Sequence, residues 1–184
     1  MCVIVDANVK TKFFGEKVAA EFLVRYVLEQ MRPSGRPIPL ALGEGRHIIE
    51  LFNKGALKTI LGEIKRRPKA SNLLKIYESS ELAREERKLP PVEQCKSKKG
   101  DRHILALARV SGSRLLVTAD KGLKEDFWSK KIVSAVTWGD GKNKGGKILP
   151  LGRNRSQKQK RQELFETMPR CTQRHLRGAH STAL

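Results

Sequence analysis

The sequence predicts an α/β domain built on a mostly parallel β-sheet and followed by a basic tail. Two short, β-branched-rich apolar runs, residues 2–5 and 115–117, are bounded by polar or loop residues, the pattern of strands buried on both faces. Ile104, Leu105, Leu107, Ala108 and Val110 fall at helical spacing just before the second run, so a helix feeds a strand, as in half of a right-handed crossover. Lysine and arginine crowd the chain beyond residue 141.

Taken in order, residues 2–5 form the first strand and Asp6 ends it. Val18, Ala19, Phe22, Leu23, Tyr26 and Val27 recur at i, i+3, i+4 spacing through a helix over residues 16–31, which Pro33 and Gly35 terminate. Residues 36–45, with two prolines and two glycines, read as a connecting loop. Residues 48–52 read as a second strand, after which Leu57, Ile60, Leu61 and Ile64 trace one face of a helix. Residues 71–88 read as a single helix that buries Leu73, Leu74, Ile76 and Tyr77, carries a charged end, and stops at Pro90-Pro91. A helix opens at Asp101 and stops at Ser111-Gly112-Ser113, the strand 115–117 follows, another helix begins near Leu123, and residues 132–136 add an edge strand.

The length of 184 residues fits one domain, expected over residues 1–140, plus a tail over 141–184. A formal charge of +19 and a pI near 10.3 create a field that draws polyanions. The aromatic content of 5% argues against base-stacking platforms and points to phosphate contacts, which are salt-sensitive and read little sequence. The tail pairs many cations with only Glu163 and Glu166 and few apolar residues. It is expected to stay flexible, or to form a helix near residues 157–168 on meeting a partner. Within it, residues 141–147 imitate a phosphate-binding loop, but Ile148 stands where a hydroxyl is needed and Pro150 blocks the following helix. Cys2, Cys95 and Cys171 lack ligand spacing and are odd in number, so they make no disulfide framework, and thiol catalysis and a zinc knuckle are both poor readings. No apolar stretch is long enough to span a membrane and no leader precedes the first strand, so no membrane association and a cytoplasmic setting are expected.

The acids carry the chemistry. A carboxylate directly after a buried strand is costly without a partner, and both Asp6 and Asp120 stand in that position. In an open parallel sheet both would project from the carboxyl edge, where Asp101, at its helix start, could join them. Two such charges about 4.5 Å apart repel by roughly 3–4 kcal/mol at an effective dielectric near 20, so protons or cations must intervene. Clustered oxygens select hard cations, Mg²⁺ or Mn²⁺, whose chemistry suits phosphodiester hydrolysis. Simpler roles stand beside these: Asp101 as a helix N-cap, and Asp126 as an acid in the first turn of the last helix.

The segments VIVDANV, DRHILALA and LLVTADKGL, the last followed by EDF, resemble in order and spacing the PIN-domain family of metal-dependent nucleases. The resemblance covers residues 1–137 and is weakest between 35 and 95. It implies a three-layer α/β fold with a central sheet of four to five strands flanked by helices, an acidic Mg²⁺ or Mn²⁺ pocket, and endonucleolytic hydrolysis of RNA. Many members of that family are toxins restrained by an antitoxin, so an acidic antitoxin-like partner and a homodimer are implied as well. By position the resemblance assigns Asp6, Asp101 and Asp120 to catalysis and metal binding, and Asp126 to a more variable fourth metal position. The family also expects a helix-borne glutamate. Glu63 is the choice because it borders a buried helical stripe, with Glu50, read as a strand residue, and Glu44, in a glycine-flanked loop, still open. Thr118 and Asn8 are expected to support the acids, and His103 lies one helical step from Asp101. The competing readings are a catalytically degenerate PIN-like module that binds RNA or protein, and an aspartyl-phosphate enzyme, which Lys121, one residue past an aspartate, fits poorly.

Overall fold

Five short strands lie parallel in one sheet: β1 (Val3–Val5), β2 (Leu40–Gly43), β3 (Leu74–Tyr77), β4 (Leu115–Val117) and β5 (Val136–Trp138), in the spatial order β3-β2-β1-β4-β5. The computed structural model describes residues 2–9, 17–28, 38–68, 70–97, 101–113, 115–129, 131–133 and 136–138, with 156, 159 and 164. The helices are α1 (Lys17–Phe22), continued by a π-helical stretch Leu23–Leu28, then α2 (Arg46–Asn53), α3 (Ala56–Lys65), α4 (Ser79–Glu86), α5 (Arg102–Ser111) and α6 (Lys121–Trp128).

Side chains alternate across a strand, and here each face has its own core. Val3, Val5, Leu40, Leu42, Leu115 and Val117 pack with Phe22, Leu23, Leu51, Leu57, Ile60 and Ile64 from α1 to α3 and the π-helical stretch. Ile4, Ala41 and Leu116 pack on the other side with Leu82, Ile104, Leu105, Leu107, Leu123 and Phe127 from α4, α5 and α6. Burial on both faces is why the strands read as unbroken apolar runs. Each fully buried Leu, Ile or Phe contributes roughly 1.5–3 kcal/mol, so these two layers supply most of the favourable energy of folding.

Helix α5 is the most enclosed, with Ile104 through Ala108 all buried. It ends at Gly112, whose φ of 59° is left-handed and favours glycine, as the Ser-Gly-Ser stop predicted. Among the described residues, no helix is long and apolar enough to cross a membrane.

Four expected elements differ. Residues 36–45 are not all loop: they contain β2, whose prolines stand before the strand, where Pro39 needs no amide and its carbonyl accepts the Val3 N–H at 3.0 Å. Residues 48–52 are not a strand but part of α2, since His47 and Leu51, four apart, are buried while Ile49 and Phe52 face outward. The single helix expected over 71–88 is a 3₁₀ turn at Ala70–Leu73, then β3, then α4; β3 is an edge strand and its Ile76 is exposed, not buried. The last strand forms at Val136–Trp138, slightly later than residues 132–136, and Ile132 is buried in a turn. The side chains of Val18, Ala19, Tyr26 and Val27 lie outside the described residues, as does nearly all of the 141–184 tail. Of that tail, Leu164 is buried in the α1–α3 core, and Ser156 and Gln159 exchange reciprocal side-chain to backbone bonds of 2.9 and 3.3 Å, a capping box.

The start of α6 presses on the segment before α5. A Cβ on Gly122 would stand 2.2 Å from the Lys96 carbonyl oxygen, so only glycine permits the approach. Alanine ordinarily gains up to about 1 kcal/mol over glycine in a helix, but a clash with backbone is overpacking, which costs roughly 1–3 kcal/mol and wins. Gly122→Ala is therefore expected to lower unfolding stability in urea by about 1–2 kcal/mol; an unchanged or raised midpoint would contradict this contact.

Candidate functional site

The strand order changes direction between β1 and β4: the chain builds β1, β2 and β3 outward on one side, then crosses to place β4 on the other. Such a switch point leaves a crevice at the carboxyl ends of the two strands. Val5 pairs with Val117 there, so Asp6 and Thr118 follow side by side.

The Asp6 residue is 3% exposed. Its amide donates to the Val117 carbonyl at 2.9 Å, and its own carbonyl accepts from Val9 at 3.1 Å, closing the 3₁₀ turn Ala7–Val9. Thr118, fully buried, donates its hydroxyl to Asp6 Oδ2 at 2.6 Å and accepts the Asp120 amide at 2.9 Å. One hydroxyl thus couples the two acids: it uses its proton on the first and its lone pair on the backbone of the second. Asp120 caps α6, with Oδ1 accepting from the Leu123 amide at 2.7 Å. Asn8 sits in the turn after Asp6, and its side chain lies outside the described residues.

Asp101 precedes α5, and its side chain makes no capping bond to that helix. Because α5 feeds the start of β4, its first turn is on the carboxyl-edge side of the sheet. Two clamps hold this region. Arg102 donates to the carbonyls of Pro90 at 2.7 Å and Glu86 at 3.0 Å, which ties α5 to the end of α4. Asp126, buried in α6, accepts the amides of Lys96 and Ser97, each at 2.8 Å, and the Ser97 hydroxyl. The acid assigned by resemblance to a fourth metal position is therefore committed, through both oxygens, to the loop that leads to Asp101.

Glu63 also differs from expectation. It is buried near the end of α3 and paired with Arg66 on the same helix, and the chain passes from there to the start of β3, at the opposite edge of the sheet from Asp6. The glutamate that approaches α5 is Glu50 on α2: its Oε2 lies 3.4 Å from His103 Nε2, and its Oε1 accepts from Arg46 at 2.6 Å. Residues 48–52 are helical, which makes Glu50, an open candidate in the sequence, a helix-borne acid. Glu44 is spent elsewhere, accepting the amide and hydroxyl of Ser79 at the start of α4.

His47 carried no role in the sequence, yet both of its ring nitrogens are engaged. Nδ1 accepts the Gly43 amide at 3.1 Å, and Nε2 lies 2.9 Å from the Val5 carbonyl, to which it must donate. Burial, above all, pushes its pKa down to about 4, and nearby His103 adds to the fall, against the opposing Val5 bond and Glu50. A surface hollow of about 510 Å³ beside Arg109, Gly112 and Ile132 lies at the other end of α5 and is not part of this edge.

A bound Mg²⁺ or Mn²⁺ is the group the resemblance implies. The donors that share this edge are carboxylates, the oxygen ligands hard cations take. Among the described residues, no three His, Cys, Asp or Glu side chains are grouped to hold one ion. Mg²⁺ takes such oxygen donors, one or two carboxylates with water and phosphate completing its shell. No protein-family model matches the chain, and neither a curated protein nor a solved structure matches it.

Two expectations follow. Since the folded His47 pKa near 4 lies below the ordinary 6.5, the unfolded chain binds the extra proton first as pH falls. The stability this gives is present in full above pH 6.5 and is lost between 6.5 and 4, on the order of 3 kcal/mol. Urea unfolding against pH should show that slope in the wild type and lose it in His47→Gln. Asp126→Asn turns an amide donor toward amide donors, and should cost about 2–3 kcal/mol while raising hydrogen exchange at Lys96 and Ser97; unaltered exchange there would remove the loop-anchoring role.

Proposed function

We propose that this chain is a divalent-metal-dependent endoribonuclease of the PIN type, with the three-layer arrangement of that family. The observation that carries the reading is the delivery of Asp6 and Asp120 by neighbouring strands at the switch point, joined through the Thr118 hydroxyl. A buried carboxylate held by a donated hydroxyl stays oriented toward a single point, as a metal ligand must. Asp6 and Asp120 are the residues that would hold Mg²⁺ or Mn²⁺, with Asp101 and Glu50 as supporting carboxylates. Glu50 replaces Glu63 in this assignment, because it stands beside His103 two residues past Asp101.

A cation bound there supplies water activation and charge neutralisation for in-line attack at phosphorus. The protein's own part is to align and to attract. Arg46 and Lys121, whose side chains are 58% and 86% exposed, open α2 and α6 on the same edge and are placed to meet phosphates of a strand crossing it. The chain's charge of +19 favours RNA encounter, and the lack of aromatic platforms leaves the phosphates as the main contact. An acidic antitoxin-like protein would be drawn to the same surface.

A second reading is an RNA-binding module without catalysis, favoured by the structural use of two of the acids: Asp120 spends an oxygen capping α6 and Asp126 spends both on residues 96–97. Incubation with labelled RNA and Mn²⁺ separates the two. Cleavage is expected, abolished by chelator and reduced at least about 100-fold in folded Asp6→Asn, Asp101→Asn and Asp120→Asn. Glu50→Gln should lose about 10-fold or more while Glu63→Gln cleaves like wild type. Salt-sensitive RNA binding without cleavage at any metal concentration would establish the module instead.

A further inference from the structure

Strands β1 and β2 meet at one register point, Val3 with Leu40, and then part. Toward their carboxyl ends a gap opens between the Val5 carbonyl and the Gly43 amide, and the His47 ring fills it: Nδ1 takes the Gly43 N–H and Nε2–H meets the Val5 oxygen. The ring replaces a missing rung of the ladder with a wider one. Its neighbours account for the fit: a Cβ on Gly43 would lie 3.5 Å from the His47 Cβ and 2.9 Å from a Leu82 methyl.

The Val5–Asp6 peptide is consequently held at both ends. Its carbonyl is bound by His47 on the β2 side, and its N–H by Val117 on the β4 side. The side chain that leaves this peptide unit is the Asp6 carboxylate. We infer that His47 is a positioning residue for Asp6, spanning β1 and β2 so that the peptide bearing the carboxylate has one orientation in the crevice. The same ring sets the first turn of α2, three residues before Glu50, and lies 6.2 Å, centre to centre, from the ring of His103 on α5. One buried side chain therefore aligns two of the proposed acids. The inference rests on the nuclease reading for its functional consequence, and on the hydrogen bonds for its geometry.

The deciding feature is the donor and acceptor pair, not the ring's bulk. Glutamine keeps such a pair, its amide oxygen for Gly43 and its NH₂ for Val5; leucine keeps volume and loses both. His47→Leu, checked for folding by circular dichroism, is expected to bind Mn²⁺ about 10–100-fold more weakly in calorimetry and to lose kcat on RNA by a similar factor, with KM within about 3-fold. His47→Gln is expected to stay within about 5-fold of wild type in both. In nitrogen-15 spectra, the wild-type ring should carry its proton on Nε2, and the Asp6 amide resonance should move in the leucine variant and return in the glutamine one.

An Asp6 amide unmoved in folded His47→Leu, glutamine as damaging as leucine, or a proton on Nδ1 in the wild type would each overturn the inference. Should His47→Leu not fold, the wild-type tautomer and His47→Gln still decide it. A wild type that neither takes up Mn²⁺ nor cuts RNA would defeat the nuclease reading alone, since the amide shift and the tautomer test His47 without either.

Discussion

A buried carboxylate constrains everything around it. Asp6 is 3% exposed at the end of a strand with apolar packing on both faces, where water cannot solvate an ionised group. An uncompensated charge there would cost several kcal/mol, comparable to the stability of a whole domain. The Thr118 hydroxyl at 2.6 Å supplies one partner, and charge-assisted bonds of that kind are about twice as strong as neutral ones. Thr118 can reach Asp6 only because β4 lies directly against β1 in register, Val5 against Val117. The topology of the sheet is thus tied to the satisfaction of one side chain: move β4 by a residue and the acid loses its hydroxyl.

The same topology explains why the neighbouring positions are polar and held. At a switch point the two strands send their following segments to opposite sides of the sheet, leaving an opening that no crossover covers. Asp6 turns into a 3₁₀ turn on one side; Asp120 caps α6 on the other. Around the opening, hydrogen bonds fasten loops and helix starts in addition to apolar packing: Arg102 on the end of α4, Asp126 on residues 96–97, His47 between β1 and β2. Directional bonds fix orientation more narrowly than apolar contact does, which is the requirement of a site that must hold groups to within a fraction of an ångström.

The parts of this arrangement that were legible in the sequence are those with a local signature. β1 and β4 read correctly because buried parallel strands are apolar throughout, and α5 because its face and its Gly112 stop are both encoded locally. β2 escaped because Pro37 and Pro39 look like loop, although proline just before a strand gives up no ladder bond. β3 escaped because Leu74 to Tyr77 sit at the sheet edge, where half the residues face solvent and the apolar pattern thins into something helix-like. The run from His47 to Phe52 fits either period, and the choice between them decided whether Glu50 or Glu63 looked like the helix acid. The anchoring roles of Asp126 and His47 had no signature: Lys96, Ser97 and Val5, the distant partners, lie 29 to 42 residues away, and only the folded chain brings them together.

The charge of the molecule and the charge of this edge have opposite signs, and their ranges differ. At physiological ionic strength a field decays over about 8 Å, so most of the +19 acts on a polyanion as it approaches and little of it reaches the buried acids. Near the crevice what counts is local: Arg46 paired with Glu50, and Lys121 at the head of α6. If the proposed substrate is right, a phosphate strand drawn in by the positive charge would meet carboxylates that repel it unless something positive stands between. On the proposed reading a hard divalent cation would meet that need better than a lysine, since such a cation binds carboxylate and phosphate oxygens at once. On the proposed nuclease reading a positive chain and an acidic opening are compatible, the first serving to gather the anion and the second to accept it in the company of a cation.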